Sequence, residues 1–304
     1  CKHCCYSSSP KWPNDYMTPS MADEIFAVLK RLGCDAVHIG GGEPLLQPDK
    51  LYGILDAAYR NNIGIEYIET NASWYKDAAS AKTILKELKG RGVKTLLISI
   101  DPYHNEYIPF WKVKGLIQAC SAVKMNVFPW QMEFWDEVDA LDDHETHSLD
   151  EYIRLYGEDY PVRLMSRYGL NLKGRAFMTY RPFMKKQPVD QILKESKPCR
   201  LLSGIYHFHV DLYGSYIPQS CPGFSIPVKE LVSGADPDKY RIFNSMESVG
   251  IRGLFELAEK EYGYTPKNEY AGKCDLCYDI RNHLVLELGL DLPDLKPEGH
   301  YKYI

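Results

Sequence analysis

Cys1-Lys2-His3-Cys4-Cys5-Tyr6 opens the chain, and Gly40-Gly41-Gly42-Glu43-Pro44 follows further along. The C-x2-C pair Cys1/Cys4 sets two thiolates where a single metal centre can take both. A run of glycines ending in an acid lets the backbone come close to a small polar ligand. A second cysteine set lies late in the chain: Cys199, Cys221, Cys274 and Cys277, the last two again spaced C-x2-C. Four thiolates suit one iron–sulfur cluster or one zinc ion. The competing readings are free thiols at both sets and an ordinary glycine-rich turn at Gly40–Gly42.

The chain has 304 residues, 45% of them hydrophobic and 25% charged, which suits one large or two ordinary globular domains. The net charge is -5 and no long basic run occurs, which disfavours nucleic acid as substrate. No apolar stretch reaches the roughly 18 residues of a membrane span. Nine cysteines make an odd count for a disulfide framework, and clustered thiols in a reducing compartment read as metal ligands, so the protein is expected in the cytoplasm.

Helical and strand periods alternate from Pro19 to about Ser166. Thr18-Pro19 reads as a cap and first-turn proline, with Ile25, Phe26, Leu29 and Leu32 on one face. Strands are expected at 35–39, 64–69, 93–100, 125–128 and 162–166, with helices near 51–58, 84–88, 110–123 and 149–156 between them. Such alternation specifies a parallel sheet, open or closed into a barrel. Beyond about Asn171 the rhythm stops. Residues 181–198 read as a linker between a domain over 1–180 and another over 199–304. In the latter, alternating apolar residues around Tyr213-Gly214 predict a β-hairpin.

Together, and in this order, the cysteine and glycine motifs resemble the radical S-adenosylmethionine (SAM) superfamily, whose cluster motif is C-x3-C-x2-C followed by a Gly-Gly-Glu-Pro-like loop. In the preferred register Cys1 and Cys4 are the second and third ligands, and the first would lie four residues before Cys1. The competing register pairs Cys1 with Cys5 and puts Ser8 at the third position. The resemblance implies a partial (β/α)6 TIM-like barrel lacking its first strand in this chain. It also implies a 4Fe–4S cluster whose open iron takes SAM, reductive cleavage to a 5′-deoxyadenosyl radical, and hydrogen abstraction from substrate. Gly41, Gly42, Glu43 and Pro44 would bind the SAM amino group. Asn71 would lie near SAM, and Ser99 and Asp101 would meet its ribose or carboxylate. Asn171-Leu-Lys-Gly-Arg-Ala176 resembles a Gly-Arg-Ala segment of the family, in which Arg175 could pair with a carboxylate.

The hairpin flanked by cysteines and followed by a distant C-x2-C resembles the SPASM/twitch auxiliary-cluster domains. That implies a small α+β C-terminal domain in which Cys199, Cys221, Cys274 and Cys277 hold an auxiliary 4Fe–4S cluster, with zinc as the alternative. His104, the His144-x2-His147 pair, and the pair His207 and His209 read as ordinary loop or packing histidines as well as possible chemical groups. Cys34 and Cys120 read as core. The expected activity is that of a radical SAM enzyme acting on a peptide or small molecule, supplied by a reductant such as flavodoxin or ferredoxin. The alternative is a non-catalytic zinc or iron–sulfur scaffold.

Overall fold

The computed structural model describes residues 1–200, 202–218 and 221–303. The chain forms two compact units, one of residue 1 with 15–170 and one of 2–14 with 171–304.

In the first unit four parallel strands lie in sequence order: β1 (Ala36–Ile39), β2 (Gly64–Thr70), β3 (Thr95–Ser99) and β4 (Asn126–Trp130). Helix α1 (Pro19–Arg31) precedes β1, and α2 (Pro48–Arg60), α3 (Ala78–Gly90) and α4 (Phe110–Ala122) make the crossovers. Their ends are chemically marked. The Thr18 hydroxyl accepts the Met21 N–H ahead of Pro19, and the Asp77 carboxylate accepts the Ala79 and Ser80 N–H groups at the start of α3. Ile25, Phe26 and Leu29 of α1 and Leu51 and Leu55 of α2 are buried at helical spacing.

The strands divide their side chains by alternation. Ile68, Leu96 and Ile98 are fully buried. The opposite parity carries His38, Tyr67, Glu69, Ser99, Phe128 and Trp130. His38 stacks on Tyr67, Tyr67 meets Phe128 edge-on, and Phe128 meets Trp130 the same way. Phe128 and Trp130 stay partly exposed, so this face of the sheet is polar and aromatic. Cys120 is fully buried in α4, as a core cysteine should be.

After β4, helix α5 (Leu149–Tyr156) starts at a capping box between Ser148 and Glu151. The expected strand at 162–166 is a helix instead, α6 (Tyr160–Tyr168). Its sequence has a first-turn proline, Pro161, and buried Tyr160 and Leu164 four residues apart. That period of about 3.6 outweighs the apolar run Val162–Met165. The parallel sheet of the described residues therefore has four strands, not five.

The second unit has helical and short-strand elements. Residues expected as a linker form a 3-10 turn at Arg181–Phe183, a strand Gln187–Pro188 antiparallel to Glu269–Tyr270, and helix α8 (Val189–Lys194), following α7 (Gly174–Tyr180). The hairpin is present as β5 (Phe208–Val210) and β6 (Ser215–Pro218), joined by a turn in which Asp211 Oδ1 accepts the Tyr213 and Ser215 N–H groups. Helices α9 (Arg241–Ser248), α10 (Ile251–Tyr262) and α11 (Lys273–Asn282) enclose a core that includes Tyr216, Phe243, Leu254, Tyr270 and Leu276. Among the described residues no helix is long and apolar enough to cross a membrane.

The helix at 160–168 makes a paired prediction. Leu164→Ala should cost about 2–5 kcal/mol in urea unfolding, as a buried leucine does. Val162→Ala, at a position 43% exposed, should stay within about 0.5 kcal/mol. A large loss at Val162 would contradict the helical register.

Candidate functional site

The glycine loop leaves β1 at its C-terminal end. Gly41 has φ +143°, a conformation open to glycine, and a Cβ added at Gly41 or Gly42 would meet nothing within 4 Å. Bare backbone therefore faces open space. Glu43 points the other way. Its buried carboxylate accepts the Leu45 N–H (3.1 Å), the Thr70 hydroxyl (3.0 Å) and the Asn71 N–H (2.7 Å). Burial pushes its carboxyl up to about 7, against these hydrogen bonds and the pull of His104. Pro44 begins a single 3-10 turn behind it.

Asn71 is held through its backbone to Glu43, and its side chain accepts the Ser73 N–H at 2.9 Å, an Asx turn. Ser99 sits half-buried at the end of β3, in register with Trp130. Asp101 is buried just beyond it. Its carboxylate caps the turn Pro102–Asn105 by accepting the His104 N–H, and it meets His104 Nδ1 at 2.7 Å. His104 is thus one half of a carboxylate–imidazole pair and not an ordinary loop histidine.

Two residues beside the glycine loop escaped sequence reasoning. Glu69 lies so near Gly40 that a Cβ there would come within 2.9 Å of its Oε2. His38 Nε2 lies 3.6 Å from Glu69 Oε1. Burial raises the Glu69 carboxyl above the ordinary range, with His104 pulling it back. The available signal was parity: both side chains fall on the strand face shared with Ser99.

His144 is exposed and stacks on Trp111, whereas His147 is buried and bonds the Asp142 carbonyl, so this pair is structural.

In the second unit the cysteine loop is a tight turn. Ser7 N donates to the Cys4 carbonyl at 3.3 Å, and Ser8 N donates to Cys4 Sγ at 3.3 Å. The Gly-Arg-Ala segment docks against it. Arg175 N donates to the Cys4 carbonyl at 3.1 Å. A Cβ at Gly174 would fall 2.1 Å from the Cys5 carbonyl oxygen, so only glycine fits. The Arg175 guanidinium donates to the main-chain carbonyls of Ser7, Ser8 and Tyr303. Tyr6 hydrogen-bonds His209 Nδ1 at 2.7 Å, and the His207 and His209 rings lie 5.3 Å apart. Cys1, Cys4 and Cys5 are half-buried, and none of the nine cysteines forms a disulfide.

Cys199, Cys221, Cys274 and Cys277 all line one cavity of ≈ 40 Å³, which Lys173 and Arg281 also line. Cys274 and Cys277 come from the first turns of α11. Lys173 Nζ donates to Cys274 Sγ at 2.8 Å. Burial pushes the Cys277 thiol up to about 12, and a bound metal would draw that proton off. The donor set fits a thiolate-ligated group.

Residues 1–122 match the family model of the Radical SAM superfamily, a superfamily that uses a 4Fe–4S cluster and SAM. The matched segment holds the cysteine loop, the glycine loop and strands β1 to β3. No curated protein matches the chain. Among solved structures, the chain is similar to SuiB of Streptococcus suis bound to precursor peptide SuiA. The identity is 14%, the match covers 91% of this chain and 72% of that chain, and the TM-score is 0.34.

Proposed function

We propose that this protein is a radical SAM enzyme with a second, auxiliary metal centre. The observation that carries the reading is the radical SAM match over 1–122 together with a glycine loop at a strand's C-terminal end, its bare backbone facing open space. Cys1 and Cys4 are two of the thiolates for a 4Fe–4S cluster. Gly41 and Gly42 take the polar end of SAM through their backbone. When bound, the cluster and SAM supply an electron and a 5′-deoxyadenosyl radical able to take hydrogen from a substrate.

The chain's own residues bind and orient. Glu43 is a positioning residue, because its carboxylate is engaged by the protein and fixes the loop. Asn71 contributes its backbone to the same knot. Arg175 acts through the cysteine loop whose carbonyls it holds. Ser99, at the end of β3, is placed to meet the ribose or carboxylate of SAM, and Asp101 keeps His104 oriented beside it. The substrate, a peptide or small molecule, lies against the face carrying Glu69, Phe128 and Trp130. Flavodoxin or ferredoxin serves as reductant, in the cytoplasm. Cys199, Cys221, Cys274 and Cys277 hold the auxiliary centre of a twitch-like domain, a 4Fe–4S cluster with zinc as the alternative.

Anaerobic reconstitution with iron and sulfide, then SAM and dithionite, should give 5′-deoxyadenosine above a protein-free control by mass spectrometry. Cys4→Ala should reduce it to background. Product retained in a folded Cys4→Ala protein would overturn the assignment. A colourless, zinc-loaded protein without product would return the scaffold reading.

Glu43 also makes a pH prediction. Its folded value, about 7, lies above its ordinary 4.5. Between these the folded state holds the proton more tightly than the unfolded state, so Glu43 costs stability progressively as pH rises through that window. Glu43→Gln should therefore gain stability relative to the parent from pH 4.5 to 7, by at most about 1.4 kcal/mol per unit, and level off above. Parallel stability curves for the two proteins would show that Glu43 is ionised throughout.

A further inference from the structure

Lys173, Lys273 and Arg281 line the four-cysteine cavity, and among the described residues neither Lys173 nor Arg281 pairs with a carboxylate. Lys173, half-buried, gives its ammonium hydrogen bond to Cys274 Sγ at 2.8 Å. Arg281 is 6% exposed. Its guanidinium donates to the Pro222 carbonyl and the Tyr301 hydroxyl, both at 3.1 Å, and lies 4.5 Å from the Phe224 ring centroid. Its Nε is buried with no hydrogen-bond partner. Asp275, beside Cys274 in sequence, is committed elsewhere: it pairs with Arg181 at 3.2 Å and accepts the Ala271 N–H.

A buried cation without a counter-charge is costly. A neutral thiol supplies no such charge. Metal binding changes that, because each ligating cysteine loses its proton. Four thiolates around a divalent ion, or around a cluster core carrying two positive charges, leave a dianion. Lys173 and Arg281 offset it from inside the cavity, and the exposed Lys273, with its Nζ 3.7 Å from Cys199 Sγ, adds a third positive charge at the rim. We infer that Lys173 and Arg281 are the inner counter-cations of a dianionic four-thiolate centre in this cavity, and that Lys173 also donates its N–H to the ligand sulfur of Cys274. The inference rests on the assignment of the four cysteines as ligands.

The test uses cobalt(II) as probe on the metal-free protein with Cys1, Cys4 and Cys5 replaced by serine. It reads the sulfur-to-cobalt charge-transfer absorbance in competition with a chelator, so no SAM chemistry is involved. Lys173→Met should weaken cobalt binding about 10–100-fold, the usual penalty for losing a ligand's supporting partner. Lys173→Arg, which keeps the charge and a donor, should stay within a few-fold of the parent. Circular dichroism confirms that both variants are folded. An intact thiolate band with unchanged affinity in Lys173→Met overturns the pairing and leaves the metal site standing. Equal loss in the Arg and Met variants also overturns it, since the role would then be packing. Absence of the thiolate band in the Lys173-intact protein overturns the ligand assignment and this inference with it. The radical SAM reading fails on different evidence, the absence of 5′-deoxyadenosine.

Discussion

The Glu43 carboxylate ties the end of β1 to the end of β2. Three donors from two elements, Leu45 N, Thr70 Oγ1 and Asn71 N, converge on one buried acid. A stretch with three glycines has more backbone freedom to lose than any other sequence, so a loop meant to present bare backbone must be fixed from behind. Glu43 does that without placing an atom on the open side. The consequence is an acid whose burial pushes it up to about 7. Local destabilisation of this kind is the cost of fixing a glycine-rich loop from behind.

The cysteine loop is held by a different device. It lacks a buried acid, and its carbonyls do the accepting. Arg175 spends its guanidinium on Ser7, Ser8 and Tyr303, its backbone N–H on Cys4, and Gly174 removes the side chain that would strike the Cys5 carbonyl. A planar, always-charged fork suits this better than an ammonium, because several donors can be aimed at fixed acceptors at once. The loop's polar backbone is thereby satisfied while the cysteine side chains are left for other partners.

Much of the fold was legible because its signals are local. Thr18-Pro19, Gly64–Glu69 and the turn at Tyr213-Gly214 each carry their own cap, period or turn chemistry, and the elements stand within a residue or two of expectation. Residues 160–168 were misread because a short apolar run mimics a buried strand. The first-turn proline and the Tyr160–Leu164 spacing outweigh it once the flanks are included. The four late cysteines were legible as a set from their type and spacing. Lys173 was not, since its partner Cys274 is 101 residues away and nothing local marks the pairing. Glu69 and His38 were hidden for the same reason: their meeting depends on the register of two parallel strands.

The glycine loop and the four-cysteine cavity share an electrostatic logic with opposite signs. One buries a carboxylate behind a loop that opens to solvent, and the other holds cations beside four cysteine sulfurs. Burying either kind of charge without an opposite one beside it is unfavourable for the protein. A ligand that binds only the folded state stabilises it by mass action.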